Sequence, residues 1–153
     1  MTIARVYFAP FVAQSVTNDS DQDVWLITSA STKKVILHGF SLTSAYTTDE
    51  RAALKLIRRS TAGSGGGTAI TIEPTDSDNS IAAASTVTPL VTTPGTAGDV
   101  LAAWQWSQQG ELLFLPTPEI RPVMPVSSYL ALHLTTALGG TRTWSGWIAF
   151  EEL

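Results

Sequence analysis

In the stretch Ser128-Tyr129-Leu130-Ala131-Leu132-His133-Leu134-Thr135, every second residue from 130 to 134 is leucine. That period of two is the signature of a strand with one face buried. Leu130, Leu132 and Leu134 are the expected core face, and Tyr129, Ala131 and His133 take the other. Residues 100–106 repeat the pattern, with Val100, Ala102, Trp104 and Trp106 on one face. In the closing segment Trp144, Ile148 and Phe150 share a face, and Trp147 points the opposite way.

Working outward, no sustained 3.6-residue periodicity appears. Short runs of β-branched, aromatic and leucine residues alternate with Gly, Pro, Asp, Asn and Ser. Strands are expected over 3–8, 24–28, 34–43, 53–60, 68–72, 86–91, 100–107, 111–115, 128–135 and 143–151. One helical competitor covers 47–59, where Thr48 is a possible cap, but alternation from Leu54 to Arg59 favours a strand. Eight to ten short strands separated by turn signals describe a sandwich or a barrel rather than alternating βα units.

The chain has 153 residues, which suits one all-β domain. Residues 1–23 read as an N-terminal arm or edge strand with its loop, and residues 24–153 as the domain proper. The opening Met1–Ala13 faintly imitates a signal peptide, but Pro10 interrupts its apolar run and no basic cluster precedes it. No apolar run approaches the ~18–20 residues of a membrane helix, so no membrane partner is expected. A net charge of −4 argues against a nucleic-acid partner. With no cysteine there are no disulfides, thiol nucleophiles or cysteine metal sites. Charged residues are only 14%, and 21 Thr with 15 Ser carry the polarity instead. Such a surface suits partial cover by other molecules.

Motifs of chemistry are sparse. The loop Gly63–Gly67 lacks the Lys-Ser/Thr of a phosphate loop and precedes a strand, so a mobile hairpin loop is expected there. Asp19, Asp21 and Asp23 alternate like half a calcium loop, but Val24 and Ala30 stand where Gly and an acid belong. Asp76 and Asp78 fail similarly at Ile81. His38 and His133 are the only histidines, too few for a three-histidine zinc site. No Gly-x-Ser-x-Gly elbow marks a nucleophile. No catalytic residue, metal ligand or cofactor is therefore expected. Asn18-Asp19-Ser20 matches a glycosylation sequon by pattern.

Interface candidates are aromatic or basic. Tyr7, Phe8 and Phe11 could lie across a neighbour by strand pairing and aromatic burial. Arg58 and Arg59 form the one adjacent arginine pair and could meet acids of another subunit. Of the five tryptophans, Trp25, Trp104 and Trp144 are expected in the core, and Trp106 or Trp147 at a partner.

The order of pieces also carries a resemblance. Leu37–Phe40 (Leu-His-Gly-Phe), Leu56–Arg59, Gly65–Ile70, Pro74–Asp78, Ala82–Val87, Gly110–Phe114, Tyr129–Leu132 and the closing Trp147–Glu152 follow one another across about four-fifths of the chain. This order resembles small jelly-roll structural proteins of tailed bacteriophages, including head decoration (cement) proteins. The resemblance implies an antiparallel jelly roll of about eight strands, a homotrimer, and the major capsid protein as partner on the outer surface of the virion head. It implies no catalytic residues. A different class, a carbohydrate-binding or host-attachment module of a tail tip or fibre, would use exposed tryptophans as a glycan platform.

Overall fold

A computed structural model describes residues 5–17, 21–78 and 80–153. The stripe of Leu130, Leu132 and Leu134 is completely buried, and it lies at the centre of one sheet. The strands in chain order are β1 (Arg5–Val16), β2 (Gln22–Thr28), β3 (Val35–Ser44), β4 (Arg51–Arg59), β5 (Glu73–Pro74), β6 (Thr86–Val91), β7 (Ala97–Ser107), β8 (Leu112–Phe114), β9 (Val123–Met124), β10 (Tyr129–Leu134) and β11 (Arg142–Glu152). A single 3-10 turn, Pro118–Ile120, separates β8 from β9.

The first sheet has the order β5-β1-β11-β3-β8, with β9 also pairing with β3. The second has the order β6-β2-β10-β4-β7. Every pairing is antiparallel. Without β5, β6 and β9, eight strands remain. They pair first with last (β1–β11), second with seventh (β2–β10), third with sixth (β3–β8) and fourth with fifth (β4–β7). This nesting wraps one long folded ribbon into two facing sheets, a jelly-roll sandwich.

The core between the sheets is aromatic. Phe40 sits 5.4 Å from Trp25 and Phe114 and 5.6 Å from Trp104, ring centre to ring centre. Trp106 meets Trp144 edge-on at 5.1 Å. Such tilted and edge-to-face contacts add to plain area burial.

Residues 47–59 supply β4, a strand and not a helix. Residues 1–4 and 18–20 lie outside the described set, so the sequon and Asp19 do too. The expected strand over 68–72 does not form a ladder. It runs beside β6 through Gly67 N–H to Pro89 carbonyl and Ile70 N–H to Val87 carbonyl, and Ile70 and Ile72 lean on the core.

The N-terminal segment belongs to the sandwich. β1 pairs with β11 from Arg5↔Glu152 to Val16↔Arg142. Its outer edge is covered at Tyr7 and Phe8 by β5, and the Val6 carbonyl beside them accepts the Thr75 N–H. Pro10 therefore fits within β1 because an edge position needs no second ladder bond. A register slip between Phe11 and Gln14 places Ala13 at φ +53°, and Ser145 Oγ accepts its N–H at 2.8 Å. This is a bulge, which bends the strand and ends its pairing potential outward.

A second slip corrects an expected face. Trp104 and Ala102 oppose Leu54 and Leu56, but beyond the slip Val100 opposes Ile57. Ile57 belongs to a separate cluster with Leu26, Val91 and Ala131, so Val100 does not share the core face. That small cluster sits on the outer face of the second sheet, beneath Ala62 and Tyr129.

Candidate functional site

Three features stand out, and the first is a buried charge cluster. Asp23 on β2, Arg59 at the end of β4 and His133 on β10 are all buried polar residues. The strands bring them together because His133 pairs with Asp23 on one side and Lys55 on the other, and Tyr129 pairs with Arg59. Arg59 donates Nη2–H to Asp23 Oδ1 at 2.6 Å and Nε–H to Oδ2 at 3.1 Å. Its Nη1 reaches the Gly95 carbonyl at 2.9 Å. His133 Nδ1 lies 2.9 Å from Asp23 Oδ1 and 3.0 Å from Arg59 Nη2, and its Nε2 is 3.4 Å from Asp21. A bidentate guanidinium–carboxylate pair is the strongest geometry for two such groups. With its polar atoms engaged inside the protein, the cluster ties three strands to the loop that carries Gly95.

That loop and the glycine-rich loop cover the cluster. Ser64 and Thr93 exchange two backbone hydrogen bonds. Gly63 sits at φ +78°, and a Cβ there would lie 2.4 Å from the Thr93 carbonyl oxygen. A Cβ on Gly95 would meet the Thr61 carbonyl at 1.9 Å. The glycines thus serve close loop-on-loop packing, where a mobile hairpin was expected.

At one end of the sandwich, Glu50 gathers three loops. It accepts Arg142 Nε–H at 2.7 Å, Gln108 Nε2–H at 2.9 Å and the Gly139 N–H. The Arg142 hydrogen bond is the main reason its carboxyl is held below the ordinary glutamate value, against the opposing effect of burial. The same bond raises Arg142, which also stacks on the Tyr46 ring at 3.7 Å. Gln108 carries the network inward by accepting Trp144 Nε1–H at 2.9 Å.

The third feature is a side of the sandwich. β7 is the edge of the second sheet, and β8 and β9 follow one another along the edge of the first. Trp104 and Phe114, 5.5 Å apart, join the two edges. Val100 and Leu101 on β7, Leu113 on β8, Val123 on β9, and Leu115 and Ile120 between β8 and β9 are exposed; Ile120 is 69% accessible. No glycine-to-phosphate geometry or grouped ligand set accompanies them: among the described residues no three His, Asp or Glu side chains gather to hold a metal. Asp23 of the calcium-like run is committed to Arg59, and Asp76 accepts the Asp78 N–H in a local turn. Among the described residues no helix is long and apolar enough to cross a membrane.

The structure divides the expected interface residues. Tyr7 and Phe11 point into the core, because β1 alternates and they fall on its inner face with Ala9. Burial, then the charge of Glu152, pushes the Tyr7 hydroxyl up, and it donates to the Ile81 carbonyl. Trp106 is buried against Trp144, and its indole N–H caps the Gly110 carbonyl at 2.8 Å. Arg59 is internal, as described. These four side chains have no free surface to offer a neighbour, which corrects the expectation for them. Arg58 remains partly exposed and reaches across the sandwich towards the Val123 carbonyl. Phe8 and Trp147 stay on the outer face of the first sheet, edge to face at 5.6 Å, with Phe8 40% exposed. The exposed apolar residues of the edge strands were missed in the sequence because nothing local says which strands end a sheet.

Comparison with protein-family models, curated proteins and solved structures finds no match to this chain.

Proposed function

We propose that this chain is a noncatalytic virion structural protein, a capsid decoration (cement) protein that oligomerises on the outer head surface and stabilises the shell. The observation that supports the reading is the nested jelly-roll sandwich with exposed apolar residues on its edge strands β7 and β8. It is the fold implied by the resemblance to phage head proteins, and a surface of that kind favours burial against a partner. A decoration protein works by linkage: it binds the assembled lattice better than loose subunits and so stabilises the lattice by mass action. Many copies add avidity without new chemistry. The homotrimer and the major capsid protein as partner are what the resemblance implies.

Immunogold electron microscopy of the source particle tests the proposal. Regular label over the head is the expected result. Absence of label from all particles, with a competent antibody, overturns it.

A second reading rests on Phe8 and Trp147. Phe8 is exposed and Trp147 half-buried, and the pair would contact glycans if the protein belongs to a tail tip or fibre. Trp25, Trp106 and Trp144 are buried, and partly buried Trp104 packs on Phe40 and Phe114, which narrows that reading to Trp147. A glycan array with wild-type and Trp147→Ala protein tests it, and tail-restricted gold label would favour it.

A further inference from the structure

We propose that the outer face of the first sheet carries a binding site for an organic ammonium cation, a trimethylammonium group above all, where the aromatic pair Phe8 and Trp147 lies beside the unpaired carboxylate of Glu111. The inference goes beyond both readings above and rests on neither.

The register assembles the site. On the outer face Trp147 of β11 stands between Pro10 of β1 and Ser41 of β3. Its same-face neighbours along β11 are Ser145 and Ala149. All four are small, which leaves room for a large ring above them. Ser41 and Ala149 are only 4% and 6% accessible although they face outward, the mark of larger side chains lying over them. Phe8 meets the indole at 86° with ring centres 5.6 Å apart, and it is itself exposed. The two rings therefore form adjoining sides of an aromatic corner.

Charge complementarity names the occupant. Glu111 is exposed, and its Oε1 accepts the Ser41 hydroxyl at 2.8 Å. Facing side chains on adjacent strands stand about 5 Å apart, so this bond holds the carboxylate roughly 8 Å from the stem of Trp147. No lysine or arginine occupies an outward position on β1, β11, β3 or β8. The other carboxylate of these strands that faces outward, Glu151, is matched by His38 at 2.8 Å. Among the described residues Glu111 has no cationic partner. Aromatic faces attract a cation within about 6 Å of their centres. A trimethylammonium group packs its methyls on the rings while its charge answers Glu111. A neutral sugar gains the ring contact without the charge, and an anion is repelled.

The test titrates the whole chain with choline in matched salt. The readout is the NMR signal of the Trp147 indole N–H, assigned by its loss in Trp147→Phe. Choline should shift that signal with a Kd on the order of millimolar. Neohexanol, the uncharged carbon isostere of choline, should bind about tenfold more weakly or worse. Glu111→Gln should weaken choline roughly fivefold to tenfold. Glu111 is exposed, so this variant should fold as wild type does, and a melting curve checks it. No shift at tens of millimolar choline overturns the site. Equal binding of neohexanol overturns it too, as does choline binding that ignores Glu111→Gln. A shift with methyl glucoside in place of choline overturns the cation and favours the glycan reading. Gold labelling decides the virion setting separately, so each idea can fail alone.

Discussion

Arg59 grips both carboxylate oxygens of Asp23 while the two side chains are almost completely withdrawn from water, at 4% and 0% accessibility. In the sequence Arg59 is half of an arginine pair at a strand end, and such pairs are ordinarily solvated. Its companion Arg58 has the other fate. The difference lies in alternation: successive residues of β4 point to opposite faces, and only the face of Arg59 is roofed by loops.

Removing one partner of this pair should therefore be severe. Asp23→Ala leaves a buried guanidinium without its counter-charge, and a loss of about 3–5 kcal/mol is expected. Asp23→Leu combined with Arg59→Met should recover much of it, since no charge is then stranded. Urea unfolding of both variants checks this, and a loss under about 1 kcal/mol for Asp23→Ala would show the pair to be dispensable.

The loop roof should depend on backbone shape. Gly63→Ala places a Cβ against the Thr93 carbonyl at a positive φ. The cost should be about 1–3 kcal/mol. Amide exchange should rise in residues 60–67 and 92–98 ahead of the strands. Unchanged exchange there would contradict close loop packing.

The end of the sandwich should show acid sensitivity through Glu50. Its folded pKa is lowered, chiefly by Arg142. Such a group contributes stability above its unfolded value and loses it as pH falls through the folded one. Glu50→Gln should flatten the acid limb of a plot of Tm against pH while leaving the neutral and alkaline side parallel to wild type. Identical acid limbs would remove Glu50 from the account.

Aromatic substitutions should separate core from surface. Phe40 touches Trp25, Trp104 and Phe114, so Phe40→Ala should cost about 3–5 kcal/mol. Phe8, exposed on the outer face, should cost about 1 kcal/mol or less when truncated. Comparable losses from thermal melts of the two variants would mean that the outer face is itself packed.

Nine of the ten expected strand segments correspond to strands, because alternation and turn residues are local signals. Residues 68–72 fail as a strand because their hydrogen bonds to β6 do not repeat. The inner face of β10 was equally legible, since its three leucines follow a strict period of two, whereas the same period in β1 went unread and Tyr7 and Phe11, expected at a neighbour, lie inside. The reversal at Val100 was not, because a bulge is a mismatch between two strands and neither carries it alone. The roof over Arg59 was hidden for the same reason. It brings residues 61–64 against 93–95, and each loop by itself reads as an exposed turn.

The sequence by itself determined an all-β chain, the positions of most strands and the faces they bury, since side-chain period and turn chemistry act over a few residues. Tertiary structure alone decided which strands became edges, which arginine was buried and which aromatic residues reached the surface. Those outcomes depend on pairings such as β1 with β11 and β2 with β10, between residues more than a hundred positions apart. Burial is a property of the whole nested arrangement and is written in no single segment.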